Sequence, residues 1–547
     1  MAVLDPRTTT TAPAAQRNVA GWAALAALTS LLYALPLLIM LAYGVSPVSV
    51  VTESLGYRYF NSLRLLEGER GLIFIVQGQT PGLVQHLINL GMSAAGIPIE
   101  ALRPRLDLFA YLFSFLNAAV MAGVVFAALL GRTLHATDKL LVVTTVLAGG
   151  FVSRSAISAS MTPDYYAVES MMSALGLWLF LRQVRAPAAT VSLTTVVLYG
   201  VLAGLMAGTK INLFWIGLVA ALPALLGPSF SFVRSAYRTV VLGVVAVVVF
   251  MLVTLAFYLF DVRLMPEFLV RWVEFVRNPG SEERFWSSLF FPGSPEANPG
   301  ADYGYARVLF AAWIAALVGA GVAELRRPDR RVTTLLTIAA VALFGIWQVV
   351  GLIVRPAGTT LFEVGLYAVA SGAAVIALVS PARLQRWLAY GFAGAILAQT
   401  LVSGVLNVPA LIPGPTLRQS SDAVWEVHTW LRSLDRDVLV FLPDNRYAGG
   451  TVEESLLKGM SDLPTWNITA GKVLLARLAP RFTFSQSWQD VAPGAAIMWL
   501  DSPDAPDLAV ETPGLRALLA DPTTVCRRWA LDTYPWWRHT VHACTRG

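Results

Sequence analysis

Residues 236–260 read AYRTVVLGVVAVVVFMLVTLAFYLF, 25 positions carrying one charge, Arg238, near their start. At 1.5 Å per residue such a helix is about 37 Å long, enough to cross the roughly 30 Å hydrocarbon core of a bilayer. Comparable apolar runs lie at 21–43, 106–131, 139–156, 164–183, 191–209, 211–228, 305–325, 332–354, 359–380 and 386–411. Together they predict about eleven membrane spans. The run at 21–43 follows a polar leader bearing Arg7 and Arg17 and is too long for a signal-peptide core, so it is read as a retained anchor. The runs at 139–156 and 211–228 are short, which fits either helices ending beside a water-filled cavity or ordinary hydrophobic mismatch.

Composition agrees. Of 547 residues, 56% are hydrophobic and 14% charged, against about 45–50% and 25% in soluble domains. The formal charge of +6 comes from short Arg clusters between apolar runs rather than one basic face, which speaks for topology and against a nucleic-acid partner. Two cysteines, Cys526 and Cys544, stand in the last polar segment. Neither a thiolate metal cluster nor a CxxC redox motif is available.

Placing the N-terminus in the cytoplasm puts Arg132 with Lys139, Arg182 with Arg185, Arg234 with Arg238, the group Arg326, Arg327, Arg330 and Arg331, and Arg383 with Arg386 all inside. Every short connection then obeys the positive-inside rule, and an odd number of spans leaves the C-terminus outside. Arg103 and Arg105 oppose this, but they close a long loop, where the rule has little force. The expected organisation is a cytoplasmic leader, residues 1–19; an all-α transmembrane domain, 20–411, with outer loops 45–105 and 262–304; and a small extracytoplasmic α/β domain, 412–547.

In the first outer loop, Leu55, Tyr59, Leu63 and Leu66 recur at helical spacing, and a second stretch from Pro81 lines up Leu83, Leu87 and Leu90. Both read as helices in the membrane interface, with His86 on a solvated face and not a metal ligand. In the second loop, residues 266–277 place Phe268, Leu269, Trp272 and Val276 on one face. The C-terminal segment reads as a helix at 421–434, a strand at 437–442, a helix near 452–460, an apolar run at 495–500 and strands around 525–531 and 538–543. Cys526 lies in the first of these last two strands and Cys544 directly after the second, and the two are joined by a turn within 532–537, which predicts a Cys526–Cys544 disulfide in an oxidising compartment.

Four short motifs bear on function. Thr52-Glu53-Ser54-Leu55-Gly56-Tyr57-Arg58-Tyr59-Phe60, followed by Leu65-Leu66-Glu67-Gly68, stands after the first span; Gln79-Thr80-Pro81-Gly82-Leu83 follows in the same loop. Thr162-Pro163-Asp164 opens the fourth span and Gly208-Thr209-Lys210 forms the outer turn between the fifth and sixth. In order and outward placement this set resembles the GT-C glycosyltransferases, including the aminoarabinose and protein O-mannosyl transferases. The Gln79 segment stands where many members carry His-Pro-Pro-Leu, with two of those positions altered.

The resemblance implies inverting transfer of a sugar from a polyprenyl-phosphate donor to a glycan, lipid or protein acceptor at the outer membrane face. The chemistry needs one base: a glycosidase uses two carboxylates because its alcohol leaving group must be protonated, whereas phosphate leaves as a stable anion. Glu53 is the candidate base, with a helix cap as its structural alternative. Asp164, otherwise a cap, would help the acceptor hydroxyl or orient the base. Lys210 is either a snorkelling turn residue or the cation on the donor phosphate, and Arg58, Arg271 and Arg355 are further phosphate candidates. Glu169, within the fourth span, is a cavity residue or the partner of an Arg. No metal ligand set stands out, although outer carboxylates can hold a divalent ion through water. A transporter or flippase of lipid-linked sugars, or an inactive envelope scaffold, would share the many spans; no paired Gly/Pro-broken spans favour the transporter.

Overall fold

The computed structural model describes residues 12–44, 78–98, 102–131, 133–151, 165–185, 191–210, 213–227, 230–266, 268–270, 303–326, 332–354, 358–379, 382–411, 438–441, 482–485, 495–501, 512–534 and 537–546, with a few isolated positions between them. Its helices are α1 (Ala12–Ala42), α2 (Gln79–Ala94), α3 (Leu102–Leu130), α4 (Ala136–Phe151), α5 (Tyr165–Arg185), α6 (Leu193–Thr209), α7 (Leu213–Leu226), α8 (Phe232–Phe257), α9 (Tyr303–Leu325), α10 (Val332–Val354), α11 (Gly358–Leu378) and α12 (Ala382–Leu411). Every apolar run read in the sequence is occupied by one of them. The segments Val19–Ala42, Asp107–Leu130, Phe232–Phe257, Val308–Leu325 and Arg383–Leu406 are long and apolar enough to cross a membrane. The helical part is that of an integral membrane protein.

Burial sorts the helices into inner and outer ones. Along α4 the residues Leu141, Val142, Thr144, Thr145, Val146, Ala148, Gly149 and Gly150 are all buried, so every face meets protein. It is surrounded by α1, α3, α5, α11 and α12. Two glycines let it approach: a Cβ on Gly150 would stand 2.9 Å from the Tyr33 ring of α1, and one on Gly149 would stand 3.2 Å from Ser170 of α5. By contrast α8 buries only Leu242, Ala246, Phe250, Val253, Thr254 and Phe257, while Val240, Val244, Val247, Val248 and Leu252 are exposed. That one-sided pattern in an apolar helix marks a face for lipid.

One end of the bundle gathers basic side chains. The Arg185 guanidinium forks onto Asp138 at 2.8 and 3.0 Å, and the same carboxylate accepts from the His135 N–H at 3.0 Å, closing the start of α4. Lys139 donates to the Leu129 carbonyl at 2.6 Å and lies over the Trp22 ring. Arg238 donates to the Ala224 carbonyl at 3.2 Å. The opposite end carries α2. Arg105, fully buried, donates there to the Ile97 and Asn89 carbonyls at 2.6 and 2.8 Å and to Ser93 Oγ at 2.8 Å. These bonds fix the end of α2 against the start of α3.

The C-terminal part forms a five-stranded sheet of order β2-β1-β3-β5-β4, with β1 (Val438–Phe441), β2 (Phe482–Ser485), β3 (Ala496–Asp501), β4 (Thr524–Tyr534) and β5 (Trp537–Arg546). Strand β1 pairs in parallel with β2 and β3, while β5 is antiparallel to both β3 and β4. A short helix, α13 (Pro513–Ala520), precedes β4 and begins on a proline, whose fixed φ suits a first helical turn. Strand β2 and α13 escape the sequence reading, and the last hairpin is longer than expected. Cys526 and Cys544 are cross-strand partners joined by a disulfide, with a Cα–Cα separation of 4.1 Å. Of the expected 421–434 helix only isolated positions are described, and the one near 452–460 lies outside the described residues.

Candidate functional site

The site is built at the α2 end, where three separate stretches converge. Gly78, at φ 82°, turns the chain into α2. The helix then buries Gln79, Thr80, Pro81, Gly82, Gln85, Asn89 and Met92 while Leu87 and Leu90 are exposed. In water this would be inverted. For a helix at a membrane surface it is consistent, since the leucines meet lipid and the amides meet protein.

The start of α2 rests on the end of α6. Thr80 Oγ1 donates to the Leu205 carbonyl at 2.9 Å, and a Cβ on Gly208 would stand 2.7 Å from that hydroxyl. Gly208 is the last of three glycines spaced four apart, one face of α6. A Cβ on Gly204 would come within 2.6 Å of the Ala246 carbonyl, and one on Gly200 within 2.8 Å of Val245. The stripe thereby seats α8, and its last member seats α2. Gly82 continues the contact, since a Cβ there would meet the Phe257 ring of α8 at 2.5 Å. The Gln79–Leu83 and Gly208–Lys210 motifs are therefore direct neighbours.

Lys210 caps α6 in an extended conformation, φ −158° and ψ 136°. Its N–H donates to the Met206 carbonyl and its own carbonyl accepts from Leu213, both at 2.9 Å, so the backbone of the α6–α7 turn is held at both sides. The side chain runs to α5, placing Nζ 3.6 Å from Glu169 Oε1, with relative side-chain exposures of 13% and 0%. A lone ammonium in a span costs about 2.5–3.5 kcal/mol near the centre, a cost the carboxylate offsets. Glu169 was read as a cavity residue or the partner of an Arg; its partner in this pair is a lysine.

A second polar chain ties the first outer loop to α2 and α3. Asn89 Nδ2 donates to Ser62 Oγ at 3.1 Å, and Ser62 Oγ lies 3.1 Å from His86 Nδ1. Because Asn89 already donates to the serine oxygen, the serine hydroxyl is free to donate to His86, which suits a neutral imidazole. Burial pushes the His86 pKa down. The expectation of a solvated His86 is corrected here: the ring is half-buried because the polar face of α2 turns inward. Asn89 in turn gives its carbonyl to Arg105. Ser62 and Leu66, the described members of the expected first interfacial helix, are both helical. In the second loop, Phe268 is buried beside Phe250 and Tyr258, whereas Leu269 is exposed, so these two do not share a face as the spacing suggested.

Of the sequence-predicted site residues, Lys210 is described; Glu53, Arg58, Asp164, Arg271 and Arg355 lie outside the described residues. Asp164 immediately precedes α5, five residues before Glu169. Among the described residues no group of three or more His, Cys, Asp or Glu is placed to hold a metal. A small, mainly apolar cavity lies between α5, α7 and α11, bounded by Ser173, Leu177, Ile216, Tyr367 and Ala374, and its lining carries no charged side chain. What the α2 end brings together is a nearly buried cation, Lys210, paired with Glu169, and the buried amide and hydroxyl side chains of α2.

No protein-family model matches the chain, and no curated protein matches it significantly in sequence. Among solved structures, the crystal structure of ArnT from Cupriavidus metallidurans bound to undecaprenyl phosphate is similar at a TM-score of 0.46 and 14% identity, covering 94% of this chain and 97% of that one. The apo state of the same protein gives a TM-score of 0.46 and 14% identity over 97% and 98% of the two chains.

Proposed function

We propose that the protein is a membrane glycosyltransferase that moves a sugar from a polyprenyl-phosphate donor to a hydroxyl of a glycan, lipid or protein acceptor, with inversion, at the outer membrane face. The observation that carries the reading is Lys210, a nearly buried cation fixed at the α6–α7 turn against the start of α2. In this reading Lys210 binds the donor phosphate and stabilises the charge that develops on it as the sugar leaves. Glu53 takes the acceptor proton, and Asp164 orients either the acceptor or the base. Arg58, Arg271 and Arg355 add phosphate contacts. The α2 end faces outward, together with residues 412–547, because the basic residues cluster at the other end.

The test is transfer of label from a polyprenyl-phosphate sugar to acceptor by the purified protein. Cleavage of the sugar–phosphate bond with acceptor labelling supports the transferase. Movement of intact lipid across the bilayer without cleavage supports a flippase instead.

A further inference from the structure

At the end opposite Arg238, α8 stops at Phe257 and the chain turns through Leu259 at φ 52° and Phe260 at φ 59°. Bulky residues seldom adopt this left-handed region, and two in succession carry a free-energy cost that other contacts must offset. Burial in protein does not offset it, since Leu259 and Phe260 are 49% and 65% exposed. Two large apolar side chains on strained backbone would be unfavourable twice over if they faced water.

Depth decides what they face. Arg238 is the last charged residue before Asp261, and about twenty residues cross the roughly 30 Å hydrocarbon core, so that core ends near Tyr258. The chain does not then rise into the aqueous phase. Phe268, fully buried, packs its ring between those of Phe250 and Tyr258, at 6.1 and 6.2 Å, which brings it back below the end of α8. Leu269 and Val270, exposed beside it, are thereby set at the level of lipid chains. Together with Leu259, Phe260 and Val262 they continue the exposed apolar stripe of α8 that runs up to Leu252.

The backbone suits that layer as well. The N–H groups of Leu259, Phe260 and Asp261 donate to the carbonyls of Ala256, Leu255 and Tyr258 at 3.1, 2.7 and 3.1 Å, so these donors need no water. Arg263, ion-paired with Asp261 at 2.7 Å and well exposed, is long enough to hold its charge among headgroups.

We propose that the strained turn at Leu259–Phe260, with Val262, Leu269 and Val270, is an apolar wedge docked on the acyl chains of the leaflet at the α2 end. Its partner is bilayer lipid, as for the stripe it continues, and the inference does not depend on the transfer reaction. Gly82 of α2 abuts Phe257, so the wedge also holds α2 at this depth, with Leu87 and Leu90 in the same layer.

The test uses purified full-length protein in vesicles of phosphatidylcholine and phosphatidylglycerol. Because Cys526 and Cys544 are paired, one introduced cysteine is the only free thiol for an environment-sensitive fluorophore. Placed by Phe260→Cys or Leu269→Cys, the label should lose as much fluorescence to lipids brominated in their acyl chains as it does at Leu252→Cys, and little to iodide in the water. Strong iodide quenching at both positions would put the turn in water and overturn the inference. Protection from both quenchers would overturn it equally, by assigning the face to protein, whether a second copy or another part of this chain. Val262→Cys and Val270→Cys pose the same question at other side chains, so one variant that fails to fold does not remove the test.

Discussion

The hydroxyl of Thr80 occupies the space in which a side chain at Gly208 would stand, 2.7 Å from that Cβ position. The contact couples the interfacial helix to the turn that carries Lys210. Gly208→Ala should therefore displace Thr80 from the Leu205 carbonyl and destabilise the protein by about 1–3 kcal/mol, as overpacking does. Adding Thr80→Ala relieves the clash, so the double variant should lose less than the sum of the single ones, with a coupling of about 1 kcal/mol. Thermal unfolding of the purified variants reads this out. Strict additivity would show that the two residues do not touch.

The half-buried His86 makes the α2 end sensitive to acid. Its pKa is lowered by burial, so below the ordinary value of about 6.5 the unfolded chain binds the proton more readily than the folded one. The stabilising contribution is complete above that pH and is lost as pH falls through the window below it. Hydrogen exchange in peptides covering 79–94, corrected for intrinsic rates, should show more frequent opening at pH 5.5 than at 7.5. His86→Gln should flatten the difference; an equal pH response in that variant would assign it to another group.

Cys526 and Cys544 are 18 residues apart on adjacent strands. Closing a loop of this size should stabilise the β4–β5 hairpin by about 3 kcal/mol in the chain-entropy model. Non-reducing mass spectrometry should find the two peptides linked, and reduction should speed hydrogen exchange across 524–546. Free thiols in the oxidised protein would contradict this.

Much of the helical architecture is legible in the sequence because lipid allows one solution: an apolar run of sufficient length closes its own backbone hydrogen bonds as a helix. Residues 236–260 could scarcely do otherwise. Lys210 was legible for the same reason, as a charge between two apolar runs. Its partner was not, because the Lys210–Glu169 pair joins α5 to the α6–α7 turn, and no local pattern encodes that approach. His86 is misassigned because the polar face of an interfacial helix is expected to meet water, whereas that face of α2 packs against protein and buries Gln85 and Asn89. Four-residue β2 is too short for alternation to be distinctive.

The proposed orientation rests on the two ends of the bundle. Lys139, Arg185 and Arg238 are held at one end and α2 at the other. Reporter fusions after Pro413 should be active only outside the cytoplasm, and fusions between α5 and α6 only inside it. The reverse pattern would put the Lys210 end in the cytoplasm and exclude an outer-face reaction.

Single-turnover transfer of labelled sugar from a polyprenyl-phosphate donor, compared among the parent, Glu53→Gln and Lys210→Met, tests the central claim most directly. Glu53→Gln should bind donor nearly as the parent does yet lose about two to four orders of magnitude in rate, the usual cost of removing a positioned base. Lys210→Met should instead weaken donor binding as well as slow transfer, because it removes the cation that both holds the phosphate and stabilises its departure. Parental donor affinity and parental turnover in a folded Lys210→Met protein would contradict the account.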